Sequence, residues 1–173
     1  MRPTPADPDA WNAYLAEGNA TQARKRVAAD VLLRDPAGNV LLVNPTYKPG
    51  WDLPGGMAEA NEAPDDAARR ELKEEIGLDV TLHGLLVVDW VPPHGPWDDQ
   101  IAFIFDGGTL NRDHAVALAP HDKELSEMTF VPPHRASAWL RDRLSRRFEA
   151  ALAATADGHP RFLHDGRPAA ADW

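Results

Sequence analysis

The chain predicts an α/β fold, a mixed β-sheet with helices on both faces. Three observations carry this. Apolar, β-branched runs at 27–33, 40–43, 101–105 and 127–131 read as strands. Two helical patterns, at 64–76 and 135–154, interrupt and follow them. Glycine, proline, asparagine and aspartate mark the joints between them. Strands that precede, separate and follow helices must be covered on both faces. At 173 residues the chain is long enough for one domain with a sizeable core. We divide it into an N-terminal arm at 1–22, a domain at 23–156 and a C-terminal tail or terminal hairpin at 157–173.

Within the arm, the first ten residues hold three prolines, and 9–16 reads as a short helix that docks Trp11, Tyr14 and Leu15 on the body. Arg24, Lys25 and Arg26 open the first strand as solvated charges or, alternatively, as a phosphate contact. Asp35-Pro36-Ala37-Gly38-Asn39 is the turn of a hairpin. Residues 80–90 read as two strands broken near His83-Gly84, and 91–99 as a proline-rich loop. A long polar connection runs over 106–123, a length that marks function or mobility in a compact domain. In the last helix Leu140, Leu144, Phe148 and Leu152 form one stripe, which is core packing. His164-Asp165-Gly166 turns a terminal hairpin.

Composition excludes several classes. No run of about 18 apolar residues is present, so no membrane helix is expected. The opening residues have no apolar leader, and the chain has no cysteine, which fits a cytoplasmic enzyme without disulfides or thiolate metal sites. A formal charge of −9 argues against binding a nucleic-acid polymer. It also conflicts with a phosphate-rich substrate unless bound cations intervene.

The helix at 64–76 is where chemistry concentrates. Pro64 suits its first position, Asp65 and Asp66 favour its positive end, and Gly77 stops it. Ala63 is a poor N-cap. Glu71 and Glu75 are i,i+4 neighbours, and Glu74 is i,i+3 to Glu71, so the three acids share one face. Such crowding destabilises a helix by several tenths of a kcal/mol per pair unless offset. A hard dication offsets it, because carboxylate oxygens are what Mg²⁺ and Mn²⁺ prefer. Arg70, on the Glu74 side, can hold a carboxylate by paired hydrogen bonds. Taken alone, a pair of glutamates would be an ordinary solvated face.

The wider spacing over 56–78 removes that reading: Gly56, Glu62, Arg70-Glu71-Leu72, Glu74-Glu75 and Gly77-Leu78. The pattern resembles the Nudix box, the signature of the Nudix hydrolases, at every fixed position. The resemblance implies an α/β/α sandwich over about 23–154. It implies that Glu71, Glu74 and Glu75 hold Mg²⁺ (or Mn²⁺) or the attacking water, with Gly55 and Gly56 letting the backbone approach metal and phosphate. Arg70 then orients a glutamate, and Glu62 is a further contact. The reaction implied is hydrolysis of a pyrophosphate bond in a nucleoside diphosphate linked to another group. The substrate is a nucleoside triphosphate, ADP-ribose, a nucleotide sugar or a dinucleotide. In this family the general base lies in the box or in a distal loop; candidates in that loop are Glu124, Glu127 and, more weakly, His121. Many relatives form homodimers. A non-catalytic module of the same fold that senses a nucleotide is the alternative, although such modules commonly lose the box glutamates and this chain keeps them.

Substrate contacts are expected on the flanking loops. Tyr47, Lys48 and Trp51 precede the box, and Trp90, His94 and Trp97 follow it. An aromatic ring among them can stack a base, and Lys48 can meet a distal phosphate. Trp51 serves equally well as a wedge between its loop and the core. Pro92-Pro93 falls about where some ADP-ribose-cleaving members carry a proline.

Overall fold

The structure, a computed structural model, describes residues 2–169. Met1 of the arm and residues 170–173 of the C-terminal segment lie outside the described residues.

Eight strands form one mixed sheet. These are β1 (Arg26–Arg34), β2 (Val40–Pro45), β3 (Gly55–Met57), β4 (Gly84–Val91), β5 (Gln100–Thr109), β6 (Leu125–Val131), β7 (Arg161–His164) and β8 (Arg167–Pro168). Their order is β6-β2-β1-β5-β4-β7-β8, with β3 paired to β1 off this path. β1 runs parallel to β5, β4 parallel to β7, and the other pairs are antiparallel. The apolar run of β1 is continuous because both its faces are covered. Ala29, Val31 and Leu33 pack on one side with Ala67, Ala68, Leu72 and Ile76 of helix α2 (Pro64–Ile76). Leu32 packs on the other side with Leu144, Phe148, Ala151 and Ala154 of helix α5 (Asp142–Asp157). The expected sandwich of helix, sheet and helix is therefore the architecture found.

Several local expectations are corrected. Helix α1 (Pro8–Thr21) is longer than 9–16, because the side chain of Asp7 caps it by accepting the Ala10 N–H at 3.1 Å. It does not bury Leu15 on the body, since no residue of α1 is buried. Trp11 instead stacks on Tyr14, with ring centroids 5.7 Å apart. Residues 79–83 form no strand: Val80 and Leu82 pack against the α2-side core from a loop. β5 is twice the expected length, and the connection after it carries helix α3 (Arg112–Ala117). The expected helix at 135–154 is two, α4 (Pro133–Ala136) and α5, with Arg141 extended between them (φ −66°, ψ 148°). Leu152 is only partly buried, and Arg147 takes a core position beside Phe148. The terminal hairpin forms on Asp165 (φ 55°) and Gly166 (φ 75°), the positive pair a type I′ turn demands. Its first strand extends the main sheet through β4, and Leu163 enters the core.

Among the described residues no helix is long and apolar enough to cross a membrane.

α2 begins as expected: Ala63 has N-cap geometry (φ −70°, ψ 144°) but no side-chain hydrogen bond, and Pro64 follows. An Ala63→Ser variant should gain about 1 kcal/mol in urea unfolding. An unchanged midpoint would mean that water already satisfies that helix end.

Candidate active site

β3 lays Gly55 and Gly56 beside Asp30 and Ala29 of β1, and α2 crosses that same point. Both glycines are needed there. A Cβ on Gly56 would come within 2.4–2.7 Å of the Glu71 carboxylate. One on Gly55 would lie 2.3 Å from the Ala29 carbonyl oxygen. Glu75 is 5% exposed, and its Oε2 accepts the Gly55 N–H at 3.1 Å. Burial pushes its carboxyl up to about 8, against the help of that N–H, and the charges of Glu71, Asp122 and Asp30 add to the rise. Burial also raises Glu71, in spite of Arg70.

Arg70 organises the rest of the box. Its Nε and Nη2 donate to the two oxygens of Glu62 at 2.8 and 2.9 Å, and Nη2 also donates to the Met57 carbonyl at 3.0 Å. Nη1 donates to Glu71 and to Glu74, each at 3.0 Å. This hydrogen bonding holds Glu62 down at about 2. It also raises Arg70, with Glu62 as the main partner.

These groups border a cleft of about 640 Å³. Glu71, Glu75, Gly55 and Gly56 line it together with Asp30, Tyr47, Lys48, His94, Trp97 and Glu124. Lys48 is paired with Asp52, another lining residue. Glu74, Arg70 and Glu62 stand behind this wall, and the Glu74 side chain is 56% exposed. Four other candidates lie outside this lining. Trp51 packs on the core, 5.1 Å from Trp139 between ring centroids. Trp90 donates its Nε1–H to Asp99 at 3.0 Å. Glu127 pairs with Asn44 across β6 and β2. The His121 N–H donates to the Glu75 carbonyl at 2.7 Å, and its ring lies against Gly77. A second depression, about 370 Å³, lies over Phe103 and Phe105. Its two charged residues, Asp65 and Arg69, bind each other at 2.8 Å.

Sequence reasoning missed Asp30 and Arg147. Asp30, on the cleft wall, is pushed up to about 7 by burial and by Asp52, against Arg147 and Lys48. Arg147 approaches it at 3.8 Å and binds the fully buried Asp89 through Nε and Nη2 at 3.0 and 2.9 Å. The available signal was a single acid inside each of two apolar strands, and an arginine on the apolar stripe of a helix.

The donor set fits a hard dication: the carboxylates of Glu75, Glu71 and Asp30, each raised by burial, face one cleft. Among the described residues no three acids or histidines already converge at metal-binding distance. Glu71 and Glu74 are instead held on Arg70, so an ion that engaged Glu74 would draw it off that guanidinium.

A family model described as the NUDIX domain matches residues 24–152, and the chain belongs to the Nudix family. Members of this family are hydrolases that generally use divalent metal ions. A Bacillus subtilis protein whose name provisionally assigns it 8-oxo-dGTP diphosphatase activity is 31% identical over 107 residues, 62% of this chain and 66% of that protein. An 8-oxo-dGTP diphosphatase of Proteus vulgaris is 58% identical over 36 residues, 21% of this chain and 32% of that protein. The match thus spans from about a third to just under two thirds of these curated relatives. Among solved structures, the MutT protein of Methanosarcina mazei superposes with a TM-score of 0.65 at 22% identity, covering 78% of this chain and 99% of that one. The Nudix domain of Shewanella oneidensis NrtR, solved with ADP ribose, superposes with a TM-score of 0.66 at 18% identity, covering 83% and 97%. At these identities the likeness is one of fold.

Proposed function

We propose that this chain is a divalent-cation-dependent pyrophosphohydrolase acting on a nucleoside diphosphate linked to another moiety. The moiety is a further phosphate, ribose, another sugar or a second nucleotide. The observation that carries this reading is the burial of Glu75 against Gly55, beside Glu71, on the wall of a cleft also lined by Lys48 and Glu124. The diphosphatase names of two relatives support it.

Glu71, Glu75 and Glu74 would hold Mg²⁺ or Mn²⁺ against the close backbone of Gly55 and Gly56. When bound, the dication neutralises non-bridging phosphate oxygens and lowers the pKa of water. Glu124, exposed on the cleft rim, takes the proton of the attacking water. Arg70 positions Glu71 and Glu74 through Nη1 while Glu62 anchors its other edge. Lys48 meets the phosphate away from the attacked phosphorus, and Tyr47 and Trp97 offer exposed rings to a base.

The test is a panel of nucleoside triphosphates, ADP-ribose, nucleotide sugars and dinucleotides with Mg²⁺ or Mn²⁺, and product analysis in ¹⁸O-labelled water. Label in one phosphate product identifies the phosphorus attacked; no cleavage across the panel sinks the reading. The alternative, a sensing module, predicts saturable nucleotide binding with no product. On the hydrolase reading, Mg²⁺ at about a hundred times its Kd should also add about 2.7 kcal/mol of stability, read as a rise in Tm. An unchanged Tm at saturating Mg²⁺ and nucleotide would remove the metal site.

A further inference from the structure

Arg26 is the cation in the cleft that its own fold leaves unanswered. Lys48 has Asp52, Arg141 has Asp52, Arg143 has Asp165 and Arg147 has Asp89. Among the described residues no carboxylate lies within 4.0 Å of Arg26. Its guanidinium instead lies on the face of Trp97, 4.5 Å from the ring centroid, and its Nη2 reaches only the Met57 sulfur at 4.0 Å. Its Nη1 is shut off from solvent with no hydrogen-bond partner. A buried donor left in that state is costly, and a charged one more so.

Position in the sheet says what would answer it. Arg26, Ala28 and Asp30 are alternate residues of β1, and all three line the cleft. Asp30 pairs with Gly55, where Glu75 and Glu71 gather. Four residues of strand put Arg26 about 13 Å from that point. A diphosphate held at the glutamates therefore reaches Arg26 only with the far end of its nucleoside or linked group. The Trp97 ring covers one side of the guanidinium, so what the arginine can still offer is its edge. The edge matches two adjacent acceptors lying in the guanidinium plane.

We propose that Arg26, held against the face of Trp97, is a specificity-determining residue that donates to paired acceptors at the non-reacting end of the substrate. Two sources present such a pair: the O6/N7 edge of a guanine and a second phosphate. Met57, exposed and 4.0 Å from Nη2, shifts to admit the ligand while Trp97 keeps its place. This inference rests on the nucleotide reading of the cleft but does not require turnover.

Equilibrium binding of GDP, ADP and inorganic pyrophosphate, with Mg²⁺, separates the two. A second arm compares adenosine 3′,5′-bisphosphate with AMP. A guanine contact gives GDP roughly a ten-fold or greater advantage over ADP. A phosphate contact gives a like advantage to the bisphosphate over AMP. In either case Arg26→Gln erases the preference, Arg26→Lys restores it only in part, and pyrophosphate affinity stays unchanged. If Arg26→Gln leaves every ratio within two-fold, or weakens pyrophosphate as much as the nucleotides, the assignment is wrong. If no ligand is hydrolysed but the ratios still respond to Arg26, the hydrolase reading fails and this one stands.

Discussion

Glu75→Gln is expected to abolish most turnover and, at the same time, to stabilise the metal-free protein. Glutamine keeps the length of the side chain and an oxygen that can accept the Gly55 N–H, now at 3.1 Å from Oε2. It cannot supply the charge that a dication needs, so the rate should fall on the order of a thousand-fold, the scale seen when one electrostatic group is removed from a reacting centre. Stability should move the other way. The folded-state carboxyl, at about 8, lies above its ordinary value of 4.5. A raised carboxyl contributes fully to stability below the ordinary value and loses that contribution as pH rises through the folded one. The metal-free wild type should therefore weaken between about pH 4.5 and about 8, by a few kcal/mol from this residue. The variant should lack that slope, and saturating Mg²⁺ should flatten it in the wild type. Urea unfolding across this range, with and without Mg²⁺, reads both effects. A variant that keeps wild-type turnover, or that is less stable than the wild type at pH 8, would mean that Glu75 is a structural acid. The Glu74 side chain is 56% exposed and stands off the cleft. Glu74→Gln should therefore lose rate with little change in the stability of the metal-free protein.

What was legible in the sequence follows from how local each feature is. The limits of α2 are set by Pro64 and Gly77, residues whose backbone preferences act within the segment, and its acidic face is a matter of helical spacing. The meeting of Glu75 with Gly55 spans 20 residues and came with the motif. By contrast, 79–83 buries Val80 and Leu82 as a strand would, yet without a ladder, and apolar content alone does not tell those two apart. The break between α4 and α5 leaves Trp139 packed against Trp51 and Leu140 bridged to it, contacts across nearly 90 residues that intrinsic helix propensity does not register. Propensity is a weak prior where tertiary packing decides. One part of the cleft wall was hidden for the same reason. Asp30 and Arg147 are brought together by the sheet and α5, far apart in the chain. An acid within an apolar strand and an arginine on the apolar stripe of a helix were the traces they left.

That hidden pair leads to the other large effect. Asp89 is fully buried and accepts the Arg147 Nε–H and Nη2–H at 3.0 and 2.9 Å and the Gly166 N–H at 3.0 Å. It thus ties α5 and the β7–β8 turn to β4 at a single point. Asp89→Ala would leave the guanidinium of Arg147, itself 6% exposed, with only the more distant Asp30, 3.8 Å away, and would orphan the Gly166 N–H. The expected cost is about 3–5 kcal/mol, a large share of the stability of a domain this size. Replacing both partners by apolar side chains, Asp89→Leu with Arg147→Met, should recover most of it, because the loss lies in the unpaired charge rather than in the missing attraction. Chemical denaturation of the two single variants and the double variant measures the coupling. Strictly additive losses would show that the pair is not a unit. The double variant carries a further consequence for the cleft. With Arg147 gone, Asp30 loses the cation that holds its carboxyl down from a higher value, and its protonated form should persist to higher pH. A stable fold whose pH–rate profile has shifted would separate the work Arg147 does for the core from the work it does beside the substrate.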